Sequence, residues 1–473
     1  SLHPNNPTDF SDVCAAAATP PGQSGLAVIR LSGAGSPQAV DRMFRPAGSR
    51  FSPVADMTGY TCAVGDLADP LQGQIIDQVV ITRFTAPHSF TGEDVVEISC
   101  HGGSAIKQAI LDGLFSLGVR PAEAGEFTRR AFLNGKLDLA QAEAIMDLIQ
   151  ASARKSAQTA ASQLHGALSE RIHDLSSAVY RLLARVELII EYPEHEESPD
   201  ALAGLQLELQ KLQGSLLQLT DSFSQGRILR EGLTVVIAGR PNAGKSSLLN
   251  ALAGYDRAIV TPIPGTTRDT VEELIDIGGL PVRLVDTAGL RDTDDLVERL
   301  GVDRAKAAMQ QADLVFWVIS PPFDQAEDEL DAIRQTAAQG LALHIIAGKD
   351  DLGESAAIRS YLRHHLNGLP VISFSAVSGE GLDQLRRAIL DQYDRAGSQS
   401  SEEILITNSR HKACLDRAVS HLAEAVQILA NGLPLDLLAS LLRGCADALA
   451  GITGEEVTEE LISTIFSRFC VGK

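Results

Sequence analysis

The run Gly239-Arg240-Pro241-Asn242-Ala243-Gly244-Lys245-Ser246, followed by Ser247, spaces its glycines, lysine and hydroxyl as G-x-x-x-x-G-K-[ST]. Glycines allow the backbone to bend until successive N–H groups converge on phosphate oxygens, where a Cβ would obstruct. A helix opening after the loop adds the partial positive charge of its N-terminus. Lys245 is then expected to reach the β- and γ-phosphates, and the Ser246 hydroxyl to ligate Mg²⁺. The plainer reading, a glycine turn with a surface lysine, fits less well. An apolar strand-like run (Leu233 to Ala238) precedes the loop and a helical pattern starts near Ser247.

Further residues fall where a nucleotide site needs them. Asp286-Thr287-Ala288-Gly289 closes a strand-like run, so the acid can hold Mg²⁺ through water and the Gly289 N–H can sense a γ-phosphate. Gly265-Thr266-Thr267-Arg268-Asp269 offers a threonine, Thr267, as a second direct metal ligand. Gly348-Lys349-Asp350-Asp351 and Ser375-Ala376-Val377 follow two more strands. Asp351, an acceptor-only carboxylate, pairs with the adjacent N1–H and N2–H donors of guanine, whereas adenine presents an acceptor at N1. The stem of Lys349 would cover the ring. These elements predict a GTP site and resemble those of the translation-factor-related GTPases, whose base motif is usually N-K-x-D. Gly348 stands where the asparagine is expected, which removes an amide that usually braces the loop. Leu290 stands where small signalling GTPases place a water-orienting glutamine. Asp292, Asp294, Asp295 and Glu298 supply carboxylates nearby, with simple solvation of the segment as the alternative.

These loops need a scaffold. From Leu233, buried-looking strands (233–238, 282–286, 314–319, 343–347) alternate with helical stretches, which predicts an α/β unit with a mostly parallel, doubly wound sheet. Helical stripes flank it. Ala142, Ile145, Ile149 and Ala153 lead into Leu164 to Ile190, then Leu205 to Phe223. After a polar linker at 394–403 come Leu415 to Leu429 and Leu438 to Leu449. Thr453-x-x-Glu456 reads as a capping box for a last helix ending near Phe466. The economical arrangement inserts the α/β unit into one helical domain built from two chain segments, with two separate helical domains as the alternative. Residues 27 to 133, with short β-like runs at 26–31, 77–83 and 94–99, read as an α+β domain. The expected fold is therefore multidomain α/β plus α. It comprises an α+β domain over 1–135, helical segments over 136–231 and 395–473, and a P-loop GTPase domain over 232–394.

Composition narrows the class. Lys plus Arg number 40 and Asp plus Glu 61, a net charge of −21 over 473 residues, which opposes indiscriminate binding to nucleic acid or anionic membrane. The six cysteines form no C-x-x-C pair, so neither a zinc site nor a disulfide framework is expected and a reducing, cytoplasmic setting fits. No stretch approaches 18 consecutive apolar residues, and the first residues lack an export pattern.

The flanking segments carry a more specific likeness. Thr19-Pro20-Pro21-Gly22, Gly25 to Gly33, Phe90 to Glu97 with His101-Gly102-Gly103, Gly125 to Glu143, and Cys470-Val471-Gly472-Lys473 closely resemble the MnmE (TrmE) family of tRNA-modifying GTPases, over nearly the whole chain. That resemblance implies an N-terminal domain that homodimerises and binds a tetrahydrofolate carrying a one-carbon unit, as its 5-formyl or methylene derivative. The matching contacts are Arg30, Glu97, Lys136 and Lys473. It implies K⁺ in place of an arginine finger, held by Asn242, Thr261, Thr266 and the Ile263 carbonyl in the loop Thr261-Pro262-Ile263-Pro264. Glu298 would orient water, and Cys470 would act in the modification. The implied activity is K⁺-stimulated hydrolysis of GTP to GDP. With a flavoprotein of the MnmG (GidA) family, in a heterotetramer, it would install a carboxymethylaminomethyl group at C5 of the wobble uridine of certain tRNAs. A ribosome-assembly or regulatory GTPase switch is the competing class.

Overall fold

A computed structural model describes residues 12–48, 53–192, 199–255, 272–286, 308–320, 326–349, 355–366, 368–397, 404–455 and 457–472. They form two compact units, one from the chain up to Met146 with the segment from Thr453, the other Asp147–Ile452.

The first unit is built on seven strands: β1 (Cys14–Ala17), β2 (Ser24–Ser32), β3 (Phe44–Pro46), β4 (Thr61–Ala68), β5 (Ile75–Phe84), β6 (Val95–Gly102) and β7 (Arg120–Pro121), in the order β3-β4-β5-β6-β2-β1-β7. All neighbours run antiparallel except β1 and β7. Alternation sets the register: Val79 and Ile81 of β5 and Ile29 and Leu31 of β2 turn inward and meet Ile98, Ile110 and Leu114 in one core. Helix Ser104–Ser116 covers that face. Phe466 and Phe469 of the closing segment bury themselves with Leu139, Ala142 and Met146. The last helix is Glu459–Phe466, and its cap is Thr458, whose hydroxyl accepts from Leu461 N. The start expected at Thr453 is displaced to Thr458, because the preceding helix runs through Thr453 and the acids at Glu459 and Glu460 favour the later start. Glu456 lies outside the described residues.

In the second unit β8 (Leu233–Gly239), β9 (Glu272–Ile277), β10 (Leu280–Asp286), β11 (Leu314–Ile319), β12 (Leu343–Ala347) and β13 (Val371–Ser373) form a sheet of order β13-β12-β11-β8-β10-β9. It is parallel except for the edge strand β9. Both faces are covered, Phe316 and Val318 lying in one core and Val315 and Trp317 in another, which is why β11 reads as an unbroken apolar run. The order reverses at β8, which has β10 on one side and β11 on the other, so a crevice opens beyond the carboxyl end of β8.

Helices Arg154–Leu164, Ala167–Glu191, Pro199–Asp221, Phe223–Glu231, Ser409–Ala430 and Leu435–Thr453 complete this unit. Leu205, Leu209, Leu212, Leu216 and Leu219 are buried along one stripe, as are Leu438, Leu442, Cys445 and Leu449. The segments before and after the sheet are stitched together. Gln163 Nε2 donates to Leu405 O at 2.8 Å, and Ile406 N donates to Ser222 Oγ at 3.0 Å. Three sequence expectations shift. Gly166, at φ +94, breaks the helical run after Leu164. At the far end of the next helix Ile189 rather than Ile190 enters the core, three residues after the buried Val186, while Ile149 stays exposed at a helix end. The helix from Leu382 continues to Gly397, through the start of the expected linker. The expected second helical segment, 395–473, is shared between the two units at Ile452/Thr453. Among the described residues no helix is long and apolar enough to cross a membrane.

Candidate functional site

The phosphate loop lies where β8 meets helix Lys245–Tyr255. Its backbone is bent by left-handed residues: Gly239 at φ +137, Asn242 at +60 and Gly244 at +95. A Cβ on Gly239 would stand 2.3 Å from Val318 O, so only glycine lets the loop cross β11. Among the described residues a Cβ on Gly244 meets nothing within 4 Å, and an anion there would be favoured by the helix N-terminus. Lys245 is 4% exposed, and its ammonium donates to the carbonyls of Gly239 at 3.0 Å and Arg240 at 2.6 Å. The Ser246 hydroxyl donates to Asp286 Oδ2 at 3.0 Å, joining the loop to the end of β10. A hydroxyl and a buried carboxylate in contact are the hard oxygen donors that Mg²⁺ takes, and the residues present fit that ion.

Two more loops meet this edge. Gly348 N donates to Ile319 O at 2.8 Å, and a Cβ on Gly348 would lie 3.4 Å from Ala243 O, an ordinary contact. The backbone therefore has room for the side chain that Gly348 lacks, directed toward the phosphate loop. Lys349 follows in a left-handed conformation at φ +59. After β13 the buried Ser375 accepts from Val377 N and Ser378 N at 3.3 Å each, shaping a turn that leaves Ala376 and Val377 exposed. Arg240 and Glu329 were not legible as parts of the site. Arg240 Nε lies 3.1 Å from Glu329 Oε2, and Trp317 Nε1 donates to Glu329 Oε1 at 3.2 Å, so one carboxylate on helix Ala326–Ala338 ties the loop to β11.

In the first unit Arg30 on β2 stands directly opposite Glu97 on β6. Its Nε and one terminal nitrogen donate to Glu97 Oε1 at 2.9 and 2.6 Å, and its guanidinium lies 5.2 Å from the Phe90 ring and 5.7 Å from Phe127. Lys136 Nζ donates to Pro87 O at 3.1 Å. Phe90 and Pro87 share one loop, which therefore gathers Arg30, Glu97 and Lys136 around itself. Both arginine bonds fall on Oε1, which turns Oε2 to other donors. The Arg30–Glu97 pair, with two aromatic rings beside the guanidinium and Lys136 bonded to the Phe90 loop, fits a flat ring with adjacent N–H groups and an anionic tail. Beside it runs a charge network: Ser32 Oγ donates to Glu93 (2.8 Å), Arg130 to Glu93 (2.7 Å) and to Glu126 (2.8 Å), and Arg120 to Glu126 (2.9 Å). Burial pushes the Glu126 carboxyl up, but the Arg120 guanidinium, the Glu123 N–H and Arg130 outweigh it and hold the group at about 2. Burial also pushes the neighbouring Cys14 thiol up to about 12, so it is inert.

Cys470 has an exposed thiol, but its backbone is anchored: its carbonyl accepts from Gly125 N at 3.3 Å, and Val471 bridges to Ala124. Glu298, Thr261, Pro262, Ile263, Pro264, Gly265, Thr266, Thr267, Thr287, Ala288, Gly289, Asp350, Asp351 and Lys473 lie outside the described residues.

Family models match most of the chain: GTP-binding protein TrmE N-terminus over residues 13–136, and MnmE helical domain over residues 139–470. The tRNA modification GTPase MnmE of Acetivibrio thermocellus is 41% identical over 462 residues, covering 98% of this chain and 99% of that protein. The chain belongs to the MnmE (TrmE) family. The MnmE protein of Moorella thermoacetica, also called tRNA modification GTPase, is 42% identical over 472 residues, covering 98% of this chain and all of that protein (100%). Among solved structures, the G domain of the T. maritima FeoB iron transporter is 29% identical, covering 34% of this chain and 98% of that chain, with a TM-score of 0.26. The MnmE helical match begins before the phosphate loop and ends after it, so it spans the α/β sheet.

Proposed function

We propose that the chain is a GTPase of tRNA modification that hydrolyses GTP to GDP and phosphate. The observation that carries this is the loop 239–246 between β8 and its helix, with Lys245 buried in it and Ser246 bonded to Asp286, in a chain of the MnmE family. The main-chain N–H groups of Asn242 to Ser247 bind the α- and β-phosphates, and Lys245 leaves its carbonyl partners to neutralise the β- and γ-phosphates. Gly348, Lys349, Asp350 and Asp351, with Ser375, Ala376 and Val377, hold the guanine, Asp351 selecting it. Glu298 orients the attacking water in place of the glutamine that Leu290 replaces. Ser246 and Thr267 would hold Mg²⁺, and Asn242, Thr261, Thr266 and the Ile263 carbonyl would hold K⁺, the two ions supplying charge that offsets what develops in the transition state.

Arg30, Glu97, Lys136 and Lys473 would hold a tetrahydrofolate derivative, which supplies the one-carbon unit, with Cys470 acting in that chemistry. In this reading the chain works in the cytoplasm as a homodimer through its N-terminal domain. It acts with an MnmG-family flavoprotein on C5 of the wobble uridine of certain tRNAs. The residues around the Arg30–Glu97 pair support the folate part, and the likeness to tRNA modification GTPases at 41% and 42% identity supports the tRNA part.

Hydrolysis of GTP and binding of 5-formyltetrahydrofolate, measured on the purified full chain in K⁺ and in Na⁺ buffers, test the proposal together. Hydrolysis at least about tenfold faster in K⁺, with folate binding equal in both buffers, is the expected result. Equal rates remove the role of K⁺, and absent folate binding removes the role of Arg30 and Glu97.

A further inference from the structure

We infer that Gly125 is a positioning residue that docks the closing segment 469–472 against the first unit's sheet, and so fixes Cys470 close to the strands carrying Arg30 and Glu97. Gly125 stands in the left-handed region at φ +67, just ahead of helix Glu126–Leu133. A Cβ there would lie 2.7 Å from Phe466 O and 2.9 Å from Phe469 Cβ, closer than real atoms approach. The bare backbone instead lets Gly125 N donate to Cys470 O and Ala124 bridge to Val471. The far end of the segment uses the same device: Gly472, at φ +97, passes so close to β1 that a Cβ would lie 2.1 Å from Ala17 O. Ala17 faces Ile29 across the sheet, one register position from the Ala16–Arg30 pair. Phe127, two residues beyond Gly125, lays its ring 5.7 Å from the Arg30 guanidinium. Two close glycine crossings and a buried Phe469 thus hold the segment at both ends while its thiol stays exposed.

What the segment is held beside rests on the folate reading above; the docking itself does not. The test uses the full chain as wild type, Gly125→Ala, Gly472→Ala and Gly118→Ala. Gly118 is also left-handed, at φ +95, but a Cβ there meets nothing within 4 Å among the described residues, so Gly118→Ala carries the backbone strain without the collision. Cys470 and Cys62 are the exposed thiols, the other four being buried, so the rate of iodoacetamide labelling at Cys470 relative to Cys62 reports the docking. Binding of 5-formyltetrahydrofolate and GTP hydrolysis are measured on the same samples. In Gly125→Ala and Gly472→Ala, Cys470 labelling is expected to rise at least about threefold as the segment lifts. Folate affinity is expected to fall about tenfold. GTP hydrolysis should stay unchanged, and Gly118→Ala should match wild type. Unchanged labelling in both tail variants, or an equal rise in Gly118→Ala, overturns the inference. If Gly125→Ala does not fold, Gly472→Ala decides alone. A labelling contrast in a chain that binds no folate supports the docking and overturns the folate reading instead.

Discussion

Lys245→Ala is expected to lower GTP turnover by about two to three orders of magnitude, the loss seen when one preorganised donor to a developing charge is removed. The geometry explains why so much rests on one amine. Lys245 is the cation that opens the helix after β8, and it is 4% exposed, so its charge is little screened by solvent. It donates to two carbonyls of the loop itself, at 3.0 and 2.6 Å, which orient it. Truncation leaves the loop's left-handed backbone at Asn242 and Gly244 unaltered, so the fold should persist. Steady-state phosphate release, with circular dichroism as the control, checks this. A variant that folds and retains turnover within about threefold of wild type would remove Lys245 from the mechanism.

Glu126→Ala is expected to destabilise the first unit by about 3 kcal/mol at neutral pH. The carboxyl is buried, accepts from Arg120, Arg130 and the Glu123 N–H, and sits at about 2 against an ordinary 4.5. Because the folded value lies below the unfolded one, the contribution is complete above about pH 4.5 and is lost as pH falls toward 2. The gap between wild type and variant should therefore shrink to less than about half by pH 3. Hydrogen exchange of the amides of β2 and β6 at pH 7 and pH 3 measures it. A gap of equal size at both values would mean that the charge of Glu126 contributes nothing.

The contrast between these two residues shows what the sequence could carry. Lys245 was legible because its chemistry is local: eight consecutive residues hold the glycines, the cation and the hydroxyl, and the strand before them is uniformly apolar. Strands β8, β11 and β12 were legible for the same reason, being buried on both faces. Glu126 was not, since Arg120 reaches it, and Glu93 reaches its helical neighbour Arg130, only after β7, the loop before β6 and the helix at 126–133 have been brought together. In the sequence these four look like surface charges. The edge strand β9 was hidden by its acids at Glu272, Glu273 and Asp276, and β1 by three alanines, whose small side chains suit a crowded sheet despite their helical preference. Thr453 matched a capping pattern although the cap is Thr458, because the pattern says nothing about where the previous helix stops. Cys470 was legible only through family likeness, and its anchoring by Gly125 depends on a collision that no spacing rule encodes.

The most direct measurement is a crystal structure of the full chain with GDP and Mg²⁺, paired with competition by ADP for the same site. The expected result places the β-phosphate within hydrogen-bonding distance of the main-chain N–H groups of Gly244 to Ser246. The Lys245 ammonium should have turned from the Gly239 and Arg240 carbonyls to the phosphates, with the purine between Lys349 and the turn after Ser375. A diphosphate bound elsewhere, or displacement of GDP by ADP at equal concentration, would contradict it.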